Sequence, residues 1–183
     1  INIKGFAIGI LLFAESNYNT ISRNNISANS EAGIYLYMCS DNRIFGNNIV
    51  DNAEIYSVGI KFAYSSNNSI YHNNFVNNSL HVYSIESVNI WDDGYPSGGN
   101  YWSDYNGTDL FSGLYQNETG SDGIGDTPYV IEENNQDNYP LMSPWSPVTL
   151  TVIGPWAETE LHKFLPVLEA FEEKTGINVE YVA

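Results

Sequence analysis

Asp104, Asn106, Asp109, Asp122 and Asp126 stand in two short stretches kinked by glycine, Asp104-Tyr-Asn-Gly-Thr-Asp109 and Asp122-Gly-Ile-Gly-Asp126. Carboxylates and Asn at alternate positions around a tight turn are the hard oxygen donors that a Ca2+ loop requires. The spacing is not that of an EF-hand, and no Glu closes a twelve-residue loop. Asx-Gly turns account for the same residues with no ion at all. Calcium is therefore the candidate cofactor, though nothing in the sequence makes one obligatory. Just upstream, Trp91-Asp-Asp-Gly-Tyr-Pro-Ser-Gly-Gly-Asn-Tyr-Trp-Ser-Asp-Tyr105 sets rings beside carboxylates and amides. Trp91, Tyr95, Tyr101 and Trp102 could offer flat faces to carbohydrate, each with a polar edge. The competing role is structural, because the same rings could shield the open end of a stacked repeat.

Catalysis asks for more. Glycoside hydrolysis needs carboxylates roughly 5–10 Å apart on one face. Asp41 and Asp51 share one repeat copy, but the matching positions elsewhere are mainly Asn or Ser, and Glu15 and Glu31 are isolated. A lyase needs a basic residue beside a Ca2+-bound uronate, for which Lys4, Arg23, Arg43 and Lys61 are the candidates. Arg23 and Arg43 fall near adjacent corners and could meet an anionic sugar, or only solvent. No catalytic constellation emerges, and a fold alone does not license one. The repeat reads as a non-enzymatic scaffold or carbohydrate-binding module, with a polysaccharide lyase or hydrolase as the alternative.

These residues hang on a repeat. Gly9-Ile-Leu-Leu-Phe, Gly33-Ile-Tyr-Leu-Tyr and Gly59-Ile-Lys-Phe-Ala open three copies, and a period of about two dozen residues signals a solenoid. Ile10, Ile34 and Ile60 align, as do Leu12, Leu36 and Phe62, then Ile21, Ile44 and Ile70, then Ile26, Ile49 and Phe75. Apolar residues at alternate positions predict short strands with one buried face. Stacked in register they give parallel strands about 4.8 Å apart, an all-β, right-handed parallel β-helix of three to four coils. Asn19, Asn42 and Asn68, Asn24, Asn47 and Asn73, and Asn29, Asn52 and Asn78 also form columns. Asn suits left-handed corners and can hydrogen-bond along the stack. The expected divisions are coils over 1–90, an aromatic and acidic cap over 91–143, a Pro-rich linker over 144–147, and a different segment over 148–183. Ala53 to Val58 reads as an insertion, a favoured place for binding. Ile1 to Ile8 reads as the tail of an earlier coil, so the chain is expected to be a fragment.

The net charge is −16, and no Lys or Arg occurs between Phe62 and His162. That excludes nucleic acid as a partner and suits cations or plain solvation. Cys39 is alone, so no internal disulfide forms. No apolar run approaches the roughly 20 residues of a membrane span. Sequons at Asn25, Asn67, Asn77, Asn106 and Asn117 fit an extracytoplasmic location.

The coils, with Gly94-Tyr-Pro-Ser-Gly-Gly-Asn-Tyr-Trp-Ser-Asp-Tyr105, Gly123-Ile-Gly-Asp-Thr-Pro-Tyr129 and Asn135-Gln-Asp-Asn-Tyr-Pro-Leu-Met142, resemble the NosD-like β-helix family over about residues 1–143. The resemblance implies relatives among carbohydrate-binding and sugar-hydrolase β-helices and among archaeal and bacterial surface proteins, hence a cell-surface, periplasmic or secreted setting. The family's namesake role, periplasmic maturation of a copper enzyme, is not carried by these residues. Copper wants converging His, Cys or Met, and His72, His81, Met38, Cys39 and Met142 are scattered in sequence.

After the Pro-rich boundary the pattern changes. Val148-Thr-Leu-Thr-Val-Ile-Gly154 reads as a strand and Ile177-Asn-Val-Glu-Tyr-Val182 as another. Between them, Glu158 to Thr175 reads as a helix with Leu161, Phe164, Leu165, Leu168 and Phe171 on one face, kinked or split at Pro166 and stopped at Gly176. Strand, helix and strand make a parallel βαβ unit. Val152-Ile-Gly-Pro-Trp156 and Leu165-Pro-Val-Leu-Glu-Ala-Phe-Glu-Glu-Lys-Thr-Gly-Ile-Asn-Val-Glu-Tyr-Val182 resemble the opening of an ABC-transporter extracellular solute-binding protein. That implies capture of a sugar or other small solute, with Trp156 bordering the cleft and ABC permease components as partners.

Overall fold

Each coil spends its short apolar runs on three parallel strands, because none of those runs can bury itself except against the same run of the next coil. The computed structural model describes residues 1–52, 57–147, 149–156, 159–175 and 177–182. Residues 53–56 of the expected insertion lie outside the described residues, as do Val148, Glu158 and Gly176. The first coil supplies β1 (Asn2–Lys4), β2 (Ile8–Phe13) and β3 (Thr20–Ser22). The second supplies β4 (Asn25–Ser27), β5 (Ala32–Tyr37) and β6 (Arg43–Phe45), and the third β7 (Asn48–Val50), β8 (Val58–Ala63) and β9 (Ser69–Tyr71). Then come β10 (Asn74–Val76), β11 (Val82–Ile85) and β12 (Tyr101–Trp102). They stack as three parallel sheets, β1-β4-β7-β10-β12, β11-β8-β5-β2 and β3-β6-β9, which make a parallel β-solenoid of about four turns.

The register reproduces the aligned columns. Ile10, Ile34, Ile60 and Val82 pair across β2, β5, β8 and β11. Ile3, Ile26, Ile49, Phe75 and Trp102 pair across the five-stranded sheet. From Ile26 to Trp102 every residue of that second column is almost fully buried. Gly33 lies where adjacent coils approach closely: a Cβ there would stand 2.6 Å from the Gly59 carbonyl oxygen.

The coils do not end near residue 90. Ile90 bridges Ser69 in parallel, so Trp91 continues the column of Ile21, Ile44 and Ile70. Trp102 likewise continues Ile26, Ile49 and Phe75. The cap proper is made by the antiparallel pairs β13 (Phe111–Ser112) with β14 (Glu118–Thr119), and β15 (Tyr129–Glu132) with β16 (Asn135–Asp137).

The Asn columns are hydrogen-bond ladders. The backbone N–H and side-chain Nδ2 of Asn24 both donate to Asn47 Oδ1, Asn47 does the same to Asn73, and Asn73 to Asn100. Asn19, Asn42, Asn68 and Asn89 form a second ladder, and Asn29, Asn52 and Asn78 a third. The ladder Asn are not, however, the left-handed residues. From Asn19 to Asn78 the residue before each ladder Asn takes that conformation: Tyr18, Arg23, Ala28, Asp41, Gly46, Asp51, Asn67, His72 and Asn77. A left-handed residue turns the chain so that the following Asn lies along the stack and its amide faces the next coil.

Each ladder ends in a different group. The first ends on Asp137, whose carboxylate accepts from Asn100 N–H, Trp102 Nε1–H and Tyr139 N–H. Burial pushes the Asp137 carboxyl up to about 7, while the N–H groups of Asn100, Trp102 and Tyr139 pull it back. The second ends on Asn135, whose Oδ1 accepts from Asn89 N–H and Trp91 Nε1–H. The third ends at His81, whose Nδ1 lies 3.2 Å from Asn78 Nδ2.

The chain divides into two compact units, Ile1–Trp145 and Ser146–Ala183. Trp145, expected in the linker, belongs to the first: it stacks on His72 at 5.3 Å and exchanges hydrogen bonds with Asn74. In the second unit β17 (Thr149–Ile153) pairs in parallel with β18 (Asn178–Val182) through α1 (Thr159–Thr175), which runs unbroken through Pro166.

Candidate functional site

Strand alternation that sends Ile10, Leu12, Ile34, Leu36, Ile60 and Phe62 inward leaves Leu11, Tyr35, Lys61 and Tyr83 in one outward column on the four-stranded sheet. Beside it, Ile8, Ala32, Val58 and Leu80, together with Ser30, Glu31, Ser57 and Ser79, line a half-open groove of about 770 Å³. Lys61 Nζ lies 4.8 Å from the Tyr35 ring centre and 5.9 Å from that of Tyr83. Burial and the neighbouring Tyr37 raise the Tyr35 hydroxyl above its ordinary value. Ser57, the described end of the expected insertion, is 1% exposed and its Oγ has no hydrogen-bond partner. Farther along the same face, Phe13 stacks on Tyr37 at 5.4 Å and Tyr64 meets Tyr37 edge-on at 6.2 Å, with Phe13 and Tyr64 exposed. A polar-walled, ring-edged trough of this kind can hold an extended ligand with both apolar faces and hydroxyls.

The expected aromatic platform is redistributed. Trp91 and Trp102 are each 1% exposed, so no sugar can stack on them. Trp102 is sandwiched between Phe75 and Tyr129, each ring 4.3 Å away and nearly parallel. Their position two residues after Asn89 and Asn100 repeats the Asn-x-apolar spacing of earlier coils, the signal that marks them as core. Tyr95 and Tyr101 are half-buried in the cap, Tyr95 lying 6.2 Å from Tyr139. Trp156 lies in the second unit, against Phe164 at 4.5 Å and Tyr181 at 6.2 Å, and is 38% exposed.

The calcium candidates do not converge either. Asp109 accepts from the Asp122 and Gly123 N–H groups, and Asp126 from Leu110, Phe111 and the Thr108 hydroxyl. Desolvation would raise the Asp126 carboxyl, but those donors outweigh it and hold it below the usual carboxylate range. Asp122 faces Ile124 N–H and Gln116. Asp104 sits apart, 3.2 Å from both His81 Nε2 and the Tyr129 hydroxyl, and Asn106 is exposed. These carboxylates brace turns because backbone N–H groups reach them first. Adding Ca2+ or a chelator should leave the thermal midpoint unchanged, as followed by circular dichroism. An occupied site at a hundredfold excess over its Kd would add about 2.7 kcal/mol, so a rise of several degrees would refute this.

His81 is 6% exposed. Asn78 Nδ2 faces its Nδ1, so Nε2 carries the proton and donates to Asp104. Burial lowers its pKa, against the opposing pull of Asp104. The folded imidazole thus binds its proton less readily than the unfolded one. Stability is full above the ordinary His value of about 6.5 and is lost as pH falls from there towards the folded value. Asp137 contributes the opposite sign, losing stability as pH rises from about 4 to about 7. The stability difference between wild type and His81→Phe, measured by urea melts at each pH, should therefore shrink as pH drops below about 6.5. A flat difference would remove His81 from the account. Burial, followed by Asp104, also pushes the Tyr129 hydroxyl well up.

Stacked short strands, aligned amide ladders and a trough on the flat face define a parallel β-solenoid protein. More narrowly, residues 2–107 match the family profile described as periplasmic copper-binding protein (NosD), and the chain belongs to the NosD family. No curated protein and no solved structure matches it. The copper of the family's description does not fit the residues here. Cys39 is fully buried and points its Sγ at the Tyr37 carbonyl, His72 Nε2 lies 2.8 Å from the Ser97 carbonyl oxygen, and His81 is held by Asn78 and Asp104. Among the described residues no three His, Cys, Asp or Glu groups stand close enough to hold a metal ion.

Proposed function

We propose that this chain is an extracytoplasmic, non-enzymatic binding protein that holds a carbohydrate chain in the groove of its four-stranded face. The observation that carries this is the open column of Tyr35, Lys61 and Tyr83 in a groove also lined by apolar Ile8, Ala32 and Val58 and by Ser30, Glu31 and Ser57. The periplasmic description of the family supports an extracytoplasmic setting, and among the described residues no helix is long and apolar enough to cross a membrane. Tyr95 and Tyr101 at the cap are the alternative stacking surface. A glycan array on the intact chain, followed by titration of any hit, tests the reading. Tyr35→Ala and Tyr83→Ala should each weaken binding about tenfold, the equivalent of one lost stacking contact, while the pair Tyr95→Ala and Tyr101→Ala should not. Equal losses from both pairs would shift the site to the cap.

The C-terminal unit supports a second role. Its parallel register, Thr149↔Asn178 to Ile153↔Val182, joined by α1, supports reading it as a strand–helix–strand unit like the one that opens an ABC-type solute-binding lobe. In this reading Trp156 borders the cleft and ABC permease components are the partners. A panel of small solutes in a thermal-shift assay tests it, with Trp156→Ala expected to abolish any shift; a shift that survives places the solute elsewhere.

A further inference from the structure

We infer that the groove selects a carboxylated glycan, with Lys61 taking the sugar carboxylate and Ser57 an adjoining hydroxyl; this rests on the groove being the glycan site. Three observations converge on it. The chain carries a net charge of −16, with no Lys or Arg from Phe62 to His162, so an anionic ligand is repelled almost everywhere along its later coils and cap. Lys61 is the cation that lines the groove. Among the described residues it has no carboxylate partner, and ring faces alone hold it in place. Cation–π contact positions an ammonium while leaving its N–H donors available to a ligand.

The second observation is Ser57. A buried hydroxyl without a partner is uncommon in folded proteins and calls for a reason. This one stands in the groove wall, where a sugar hydroxyl would complete it. The third is the arrangement of charge. Glu31 and Ser57 immediately precede β5 and β8, whereas Lys61 lies within β8 in register with Tyr35 and Tyr83. A carboxylate is therefore drawn to the Tyr35, Lys61 and Tyr83 column, and hydroxyls are drawn to Glu31 and Ser57. Parallel strands repeat every 4.8 Å or so along the stack, comparable with one sugar unit. Successive sugars then fall on successive coils, and in the column Leu11, Tyr35, Lys61, Tyr83 only the third coil offers a positive charge.

The test compares a short oligogalacturonate with its methyl ester, titrated into the intact chain by calorimetry and by NMR of the Tyr35 and Tyr83 rings. The acid should bind roughly tenfold more tightly at low salt, the equivalent of one charge-assisted hydrogen bond. Lys61→Met should erase that difference between acid and ester. Added salt should narrow the gap in the wild type, a check that holds even where Lys61→Met folds poorly. Ser57→Ala should weaken both ligands several-fold while the thermal midpoint stays level or rises, because the variant deletes an unpartnered hydroxyl. Acid and ester binding equally, with no salt effect, overturns the carboxylate preference and leaves the groove reading standing. Neither ligand binding, with the Tyr35 and Tyr83 signals unmoved, overturns the groove reading itself. A Ser57→Ala protein that is less stable yet binds normally overturns the role given to that hydroxyl.

Discussion

Asn73→Ala is expected to leave the first unit largely unfolded at room temperature. The Asn73 side chain is fully buried and has five polar contacts: the two Nδ2 hydrogens, one of them shared, serve the Ile44 and Tyr71 carbonyls and Asn100 Oδ1, and Oδ1 accepts from the N–H and Nδ2 of Asn47. Alanine removes all of them and strands the Asn47 N–H in a dry interior. Each buried polar group so orphaned costs about 1–3 kcal/mol, and several together approach the whole 5–15 kcal/mol of a typical domain. Asn106→Ala, at an exposed cap position, should cost within about 0.5 kcal/mol. Urea melts of the two variants beside wild type decide the matter. An Asn73→Ala loss no larger than that of Asn106→Ala would falsify the ladder as a source of stability.

Trp102→Ala is the second large effect. The ring fills the end of an inward column, is stacked on both faces by Phe75 and Tyr129, and donates from Nε1 to Asp137. Truncating a buried aromatic costs about 3–5 kcal/mol through lost transfer energy and the cavity left behind. Here the Asp137 carboxylate also loses one of its donors. Trp102→Phe should restore most of the packing but not that hydrogen bond, and so should recover more than half of the loss in thermal melts. If phenylalanine recovers nothing, the Nε1 hydrogen bond outweighs the packing.

What the amino-acid sequence discloses follows from how a repeat works. Ile10, Ile34 and Ile60 must be alike because each packs on its neighbour in the stack, so inward positions and ladder Asn stand out as columns. Outward positions escape that requirement. Leu11, Tyr35, Lys61 and Tyr83 share a column without sharing a residue type, and the groove they edge is invisible to a search for sameness. The aromatic segment misleads for the converse reason. Trp91 and Trp102 look unlike any coil residue, yet their spacing from Asn89 and Asn100 gives them core positions. The left-handed corners are misassigned to Asn because the actual residues, among them Arg23, Ala28, Met38 and Tyr64, have no shared chemistry. Asp137 carries no local signal at all: long-range contacts with Asn100 and Trp102 bury it.

The first ladder also has a direction. Asn24, Asn47, Asn73 and Asn100 all donate their backbone N–H toward the later coil, while Nδ2 of Asn47, Asn73 and Asn100 also reaches back to the Ile21, Ile44 and Ile70 carbonyls. An added interior coil would meet both neighbours with matching groups, which is propagation in the sense used for polymers. Asp137 is the terminating end-group: as a carboxylate it accepts and has nothing to pass on. Evolution can therefore lengthen or shorten this solenoid by whole coils while the terminator, and the cap built around it, stays the same.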